Sequence, residues 1–203
     1  MDLFSSEENK QIINLELPDA DIQYVDRFID PYRAKLYSNT FLDKVSWQQD
    51  TIKLFGKTFN QPRLTALYGS EGKSYSYSGI TMKPTPFTPE LIEIKKRIEK
   101  FTSLQFNAVL LNLYRDGNDS NGWHSDDEKE LGDNPVIASV SLGAGRQFQL
   151  KHKIVKHLRH KLELENGSLL LMKGTTQKYW KHQIPKTEKI TSPRINLTFR
   201  YIY

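Results

Sequence analysis

The chain has 203 residues, 37% hydrophobic and 26% charged, a composition typical of one ordinary globular domain rather than of a disordered chain. It contains no cysteine, which excludes disulfides, thiolate zinc sites, iron–sulfur clusters and cysteine nucleophiles, so any metal must be held by histidines and carboxylates. The formal net charge of +5 favours a polyanionic partner.

The first segment of the chain is polar and aperiodic. We expect residues 1–12 to form a flexible tail and residues 13–203 to form a single domain. The N-terminus lacks the basic and apolar regions of a secretion signal, and no apolar run approaches the length that spans a bilayer. We therefore expect an intracellular monomer that does not contact membranes, cytoplasmic in a bacterium and nuclear in a eukaryote.

Two amphipathic helices are predicted in the N-terminal half. One covers roughly residues 30–45, and the other begins after Thr88, the predicted N-cap, with Pro89 in the first helical position. The second helix carries an apolar stripe at helical spacing, formed by Leu91, Ile94, Ile98 and Phe101. In the first helix the apolar residues Ala34, Leu36, Phe41 and Leu42 lie among polar residues with a less regular periodicity.

From about residue 106 the sequence changes to short runs of alternating hydrophobicity, separated by Gly, Asn, Asp and Pro. Helices followed by many antiparallel strands indicate an α+β fold, and a double-stranded β-helix (jelly roll) core pairs such strands without long exposed edges. The predicted strands are 107–114, 136–142, 147–151, 167–173 and 194–203.

Three residues predict a metal centre. His124 and Asp126 are two positions apart, which on an extended segment directs both side chains to one face. His182 lies in a strand-like stretch downstream and can come from a neighbouring strand. Two histidines and one carboxylate with open positions form the arrangement of non-haem iron(II) oxygenases. The alternative is that they are ordinary hydrogen-bonded residues, as we interpret His152, His157 and His160.

The last predicted strand has an organised polar face opposite an apolar one. The long guanidinium side chains of Arg194 and Arg200 can lean toward each other on this face and bind the two ends of a small dicarboxylate. Asn112 and Tyr114 form a second same-face pair on an earlier strand. The alternative is a solvated strand face. The apolar face carries Ile195, Leu197, Phe199 and Tyr201, and the polar face carries Arg194, Asn196, Thr198 and Arg200.

Together these motifs resemble the AlkB family of 2-oxoglutarate dependent nucleic-acid dealkylases. The resemblance covers about residues 52–203 and is closest to the branch that acts on double-stranded DNA, as the stretches 55–57, 62–63, 75–79, 126–128 and 138–143 indicate. It implies an iron(II) and 2-oxoglutarate dependent dioxygenase that uses O2 to repair N-alkylated DNA bases such as 1-methyladenine and 3-methylcytosine, with release of formaldehyde and succinate.

The resemblance also implies residue roles. The iron(II) positions are His124, Asp126 and His182. The 2-oxoglutarate positions are Asn112, Tyr114, Arg194, Asn196, Thr198 and Arg200. The nucleic-acid positions are Phe55, Gly56, Lys57, Arg63, Tyr75, Ser76, Tyr77, Ser78, Asp127 and Glu128.

Residues 50–87 would form a nucleotide-recognition lid in which Tyr75 and Tyr77 grip a flipped base. Asp127 would address the exocyclic amino group of that base, and Phe55 would insert into the base stack. Double-stranded DNA is the expected partner, with single-stranded DNA or RNA as possible substrates. Two competing functions stay open: a related dioxygenase acting on RNA or protein, and a non-catalytic, metal-free nucleic-acid-binding module. A basic series is a candidate phosphate track: Lys151, Lys153, Lys156, Arg159 and Lys161.

Overall fold

A computed structural model describes residues 11–54, 56–70, 75–77, 80–82 and 84–203 of the chain. Two predicted nucleic-acid positions, Phe55 and Ser78, lie outside the described residues, as do the first ten residues of the predicted tail. For Tyr75, Ser76 and Tyr77 the backbone alone is described.

Two antiparallel sheets form the framework. The larger contains, in spatial order, β1 (Ile12–Asn14), β2 (Asp21–Val25), β13 (Leu169–Lys173), β10 (Ile137–Gly143), β15 (Arg194–Arg200), β8 (Ala108–Tyr114) and β5 (Leu64–Gly69). The smaller contains β12 (Arg159–Leu164), β11 (Arg146–His152), β14 (Trp180–Ile184) and β9 (Asn121–His124). Two hairpins pair β3 (Thr51–Leu54) with β4 (Lys57–Asn60), and β6 (Tyr75–Tyr77) with β7 (Ile80–Met82).

Both predicted helices are present. Helix α1 spans Pro31–Lys44 and α2 spans Pro89–Thr102, each with proline in its first turn. The side chain of Asp30 accepts a hydrogen bond from Arg33 N at 3.0 Å, and Thr88 Oγ1 accepts one from Leu91 N at 3.4 Å, so both N-termini have side-chain caps. Leu36 is 53% exposed, because the buried stripe of α1 runs instead through Ala34, Tyr37, Ser38 and Phe41.

The core has two layers, one on each face of the larger sheet. One layer packs α1 and α2 against one face of that sheet, with Phe41, Ile94 and Leu197 among its buried members. The other lies between the two sheets and includes Leu110 and Phe148. Each fully buried Leu or Phe side chain contributes about 1.5–3 kcal/mol to the free energy of unfolding. Strand β15 therefore has both faces buried, and its polar face points into the space between the sheets.

The predicted strands after residue 106 are confirmed within a few residues at each end, and the last ends at Arg200 rather than at residue 203. Strand β1 begins at Ile12, inside the predicted tail, because it pairs with β2. Strand β2 in turn pairs with β13, so residues before 50 extend the larger sheet. A short helix, α3 (Thr176–Tyr179), precedes β14. None of the helices in the described segments is long and apolar enough to cross a membrane.

Candidate metal centre and co-substrate pocket

A cavity lies between the two sheets. The larger sheet contributes polar side chains of β8 and β15, and the smaller sheet contributes the side chains of β9 and β14. Nine predicted site residues line this cavity: Asn112, Tyr114, His124, Asp126, His182, Arg194, Asn196, Thr198 and Arg200.

The three predicted metal ligands meet in this cavity. The pairing of β9 with β14 places His124 directly opposite His182, with their ring centres 4.2 Å apart. Asp126 follows β9, and its Oδ1 lies 3.7 Å from His124 Nε2 and 4.0 Å from His182 Nε2. One ligand atom from each residue falls within 4.8 Å of the others. Such a triangle of donors can surround a single ion.

Hydrogen bonds fix the direction of these ligand atoms. His124 Nδ1 lies 2.7 Å from the carbonyl oxygen of Gly122, which can only accept, so Nδ1 carries the proton. His124 Nε2 keeps its lone pair, which accepts from Asn121 Nδ2 at 3.2 Å. Ring stacking on Phe148, with centres 5.2 Å apart, holds the His182 imidazole.

Asp126 is oriented from both sides. Its backbone N–H donates to Gln177 Oε1 at 3.0 Å, and its Oδ2 accepts from Arg200 Nη2 at 2.9 Å. Its Oδ1 is buried and has no hydrogen-bond partner among the described residues. An unsatisfied carboxylate oxygen in a buried position is costly unless a ligand compensates it. This orphaned oxygen, beside two imidazole nitrogens, fits a cation.

The electrostatic surroundings favour the metal-binding forms of all three side chains. Burial lowers the pKa of His182 to about 3, with repulsion from His124 adding to the effect. Burial also lowers the pKa of His124, against the attraction of Asp126. Burial raises the pKa of Asp126, but the charge of Arg200 and the hydrogen bond that Arg200 donates lower this pKa by more. Near neutral pH the two imidazoles are therefore neutral and the carboxylate is ionised, as metal binding requires.

Arg194 contributes a buried guanidinium group to the same cavity. Its side chain is 1% exposed, and its Nη2 donates to Ser141 Oγ at 2.9 Å. Its Nε and Nη1 have no hydrogen-bond partner among the described residues. Burial lowers the pKa of Arg194 to about 10, so the guanidinium remains charged near neutral pH. A buried cation with two unused donors fits a carboxylate, which can accept both hydrogen bonds.

Polar side chains extend from Arg194 along β15. Thr198 Oγ1 donates to Asn196 Oδ1 at 2.8 Å, and Asn196 Nδ2 donates to Ser139 Oγ at 2.7 Å. Arg200 Nη2 lies 2.9 Å from Asp126 Oδ2, so this guanidinium orients the carboxylate of a predicted metal ligand. Its binding to one end of a dicarboxylate stays a prediction.

Arg63, a predicted nucleic-acid position, is buried in the structure. It is 4% exposed, and its Nε donates to Asn112 Oδ1 at 2.8 Å. Its side chain therefore contacts one of the predicted 2-oxoglutarate positions, because Arg63 directly precedes β5, the strand next to β8.

The remaining predicted nucleic-acid positions lie further out. Gly56, in a left-handed conformation with φ of 76°, and Lys57 are exposed at the turn of the β3–β4 hairpin. The Asp127 side chain is 58% exposed and forms an ion pair with Lys153 at 3.1 Å, whereas Glu128 is half-buried. In the basic series, Lys151 Nζ lies 4.3 Å from the centre of the Trp123 ring.

The sequence does not predict every residue of the site. Gln177, Ser139 and Ser141 contact the predicted residues directly, although the motifs assign none of them a role. The two serines occupy alternate positions in the otherwise apolar strand β10, which is a usable sequence signal for a polar inner face. The position of Gln177 beside Asp126 depends on how α3 folds back, and no local pattern indicates it.

Comparison with known proteins agrees with this geometry. A family model described as the 2OG-Fe(II) oxygenase superfamily matches residues 21–200, a range that begins before the residue 52 predicted for the resemblance. Among solved structures the chain is similar to OsALKBH1, with a TM-score of 0.61 and 15% identity, over 94% of this chain and 100% of that structure's chain, which supports the jelly-roll fold.

Two groups of relatives are similar in sequence to this chain. The chain is 43% identical over 185 residues to alpha-ketoglutarate-dependent dioxygenase alkB homolog 3 of Bos taurus, covering 87% of this chain and 64% of the relative. It is 44% identical over 158 residues to DNA oxidative demethylase ALKBH2 of Bos taurus, covering 74% of this chain and 57% of that relative. The chain thus spans less than two thirds of the length of these relatives. The nearly equal identities do not favour one group over the other.

Proposed function

Since the chain belongs to the 2OG-Fe(II) oxygenase superfamily, we propose that it is a DNA repair dioxygenase that removes alkyl groups from N-alkylated bases such as 1-methyladenine and 3-methylcytosine. One observation carries the proposal. The His124–Asp126–His182 triangle and the buried guanidinium of Arg194, with two unused donors, line the same cavity. A metal-free nucleic-acid-binding module has no use for a buried carboxylate between two imidazoles. The name of one relative, DNA oxidative demethylase ALKBH2, supports DNA as the substrate.

In this proposal His124, Asp126 and His182 hold iron(II), and Arg194 binds a carboxylate of 2-oxoglutarate. Asn112, Tyr114, Asn196 and Thr198 complete the co-substrate pocket. When bound, iron(II) and 2-oxoglutarate supply the O2-dependent oxidation of a C–H bond, with release of succinate and carbon dioxide. The oxidised N-alkyl carbon leaves the base as formaldehyde.

The protein's own contribution is orientation and exclusion of water. Gly122 keeps the proton of His124 on Nδ1, and Arg200 keeps Asp126 ionised with its Oδ1 directed at the two imidazoles. Phe148 and Leu164 line the cavity beside them and limit the water around the reacting carbon. No nucleophilic side chain is required, which is compatible with the absence of cysteine.

The second part of the proposal concerns the partner, the oligomeric state and the cellular location of the protein. We propose that the protein acts as a monomer and prefers double-stranded DNA, in the cytoplasm of a bacterium or the nucleus of a eukaryote. A net charge of +5 favours association with a polyanion. Asp127 directly follows Asp126 and its side chain is 58% exposed, and in this proposal it lies beside a base that enters the cavity. Its carboxylate would attract the positively charged 1-methyladenine and 3-methylcytosine more than neutral bases.

Replacement of Asp127 by asparagine tests this charge. Asp127→Asn removes the carboxylate charge with almost no change in shape, and we expect kcat/KM for 1-methyladenine to fall about two- to fivefold more than kcat/KM for the neutral 1,N6-ethenoadenine, because the side chain is largely exposed and screened. Both rates are measured in the same duplex sequence. Equal losses on both lesions would mean that Asp127 acts through its position alone.

Replacement of Phe55 tests the preference for duplex DNA. An apolar side chain inserted into the base stack offsets part of an unstacking cost of a few kcal/mol, and a single strand has much less stacking to replace. We expect Phe55→Ala to lower repair of 1-methyladenine in a duplex about tenfold more than in a single strand. The melting temperature is measured alongside. Equal losses on both substrates with a lowered melting temperature would identify Phe55 as a core residue.

The proposed function is tested with a substrate panel. The protein is supplied with iron(II), 2-oxoglutarate and O2, and restored base is quantified in duplex DNA, single-stranded DNA and RNA that each carry one 1-methyladenine at the same sequence position. A methylated-lysine peptide serves as the protein substrate. We expect the duplex to be repaired fastest. Turnover of RNA or of the peptide without turnover of either DNA would overturn the proposal.

A further inference from the structure

The ammonium group of Lys153 connects two segments that each carry a residue of the candidate metal centre. Its Nζ donates to Asp127 Oδ2 at 3.1 Å and to the backbone oxygen of Gln177 at 2.8 Å. Asp127 directly follows Asp126, and Gln177 lies in α3, just before the strand of His182. Lys153 is therefore positioned by the same segments that form the metal centre.

The position of this ammonium group is fixed by more than the ion pair. Lys153 N donates to the backbone oxygen of Tyr179 at 2.7 Å, so both the backbone and the side chain of Lys153 are tied to α3. The preceding His152 is buried and stacks on Tyr179, with ring centres 5.9 Å apart. Gln177 is 1% exposed and accepts from Asp126 N, so the carbonyl that holds Lys153 belongs to a buried residue. Because these contacts already restrict the Lys153 side chain, it loses less conformational entropy on pairing with Asp127 than a freely solvated lysine would lose.

This arrangement changes the charge that an entering base meets. Within the described residues, Lys153 is the one ion-pair partner of Asp127. The carboxylate charge is therefore shared with a cation at 3.1 Å instead of being fully presented to the substrate. A positively charged base would be attracted by Asp127 and repelled by Lys153, whereas a neutral base would be affected little by either charge.

We infer that Lys153 is a specificity-determining residue, which weakens the preference of the site for positively charged bases and so extends repair to neutral lesions. The inference rests on the proposed function, with Asp127 beside the flipped base. Lys153 acts through Asp127 and through its own charge, and it is not required for the oxidation itself.

The test is the ratio of kcat/KM for 1-methyladenine to kcat/KM for 1,N6-ethenoadenine in one oligonucleotide sequence. Lys153→Met removes the charge and keeps most of the length of the side chain, and we expect the ratio to rise about two- to fivefold, the range for a partly exposed charge pair. Lys153→Arg keeps the charge and should keep the ratio of the unmodified protein. The same substitution at an exposed lysine of the same hairpin, Lys156→Met, controls for the loss of one positive charge near DNA and should leave the ratio unchanged.

A double-mutant cycle separates the two charges. In the Asp127→Asn background, Lys153→Met should change the ratio less than it does in the unmodified protein, because the ion pair no longer exists. If Lys153→Met does not fold, as judged by its melting temperature, Lys153→Gln is measured in its place. A ratio that stays constant or falls would overturn the inference while leaving the proposed function intact, provided that the unmodified protein repairs both lesions. An unmodified protein that repairs neither lesion would overturn both.

Discussion

Replacement of His182 by alanine is expected to lower repair turnover by more than about 100-fold, because changes in the shell around metal ligands alone cost 10- to 100-fold and this substitution removes a ligand. His182 lies opposite His124 across two strands and is 6% exposed, so the alanine variant leaves His124 and Asp126 as the two protein ligands of the ion. Iron(II) affinity, measured by anaerobic titration, should fall with the turnover.

The fold should survive this substitution. The His182 ring packs on Phe148 at the edge of the cavity, and its loss enlarges a space that already exists. The matched control is His157→Ala at an exposed histidine of the β11–β12 hairpin, which should retain both iron(II) affinity and turnover. A His182→Ala protein with the turnover of that control would remove His182 from the metal centre.

Replacement of Arg194 should have the second largest effect. We expect Arg194→Ala to weaken 2-oxoglutarate binding about 10- to 100-fold, since a charge-assisted hydrogen bond contributes about 1.5–3 kcal/mol. Arg194→Lys keeps the positive charge but loses the planar pair of donors, so its affinity should lie between those of the alanine variant and the unmodified protein. Affinity for 2-oxoglutarate is measured by calorimetry with a redox-inert divalent metal in place of iron(II).

DNA affinity shows whether Arg194 binds the carboxylate of 2-oxoglutarate or the phosphates of DNA. Because the side chain is 1% exposed, its loss should leave affinity for an unmodified duplex almost unchanged. Arg159→Ala, at an exposed arginine on β12, is the matched control and should leave 2-oxoglutarate affinity unchanged. If Arg194→Ala reduced DNA affinity and retained 2-oxoglutarate affinity, β15 would have to be a phosphate-binding surface.

Much of the fold follows from local sequence patterns. Helix α2 can be located because Thr88, Pro89 and the apolar stripe after them specify a start and a buried face. The alternation in β15 predicts its two faces correctly, and the structure buries both of them. Strands β1 and β2 are not predicted, because their pairing with distant β13 determines their role and the sequence around them lacks regular alternation.

The metal centre is more predictable than its surroundings. His124, Asp126 and His182 have side chains of the right chemistry at a spacing that two paired strands bring together. The partners of Arg63 and Arg200 cannot be predicted, because the direction of a long side chain depends on tertiary packing. Arg63 turns inward to Asn112, and Arg200 reaches Asp126 from the larger sheet. The sequence groups Lys153 with a phosphate track, because its ion pair with Asp127 joins residues that are distant in sequence.

The central claim is that oxidation of 2-oxoglutarate is coupled to removal of an alkyl group from a DNA base. The most direct measurement follows one methylated duplex by mass spectrometry while succinate and formaldehyde are quantified in the same reaction. The account predicts that the oligonucleotide loses the mass of one methylene group, with equal amounts of succinate and formaldehyde, and only when iron(II), 2-oxoglutarate and O2 are all present. Loss of the methyl group without 2-oxoglutarate, or succinate formation that methylated DNA does not stimulate, would contradict it.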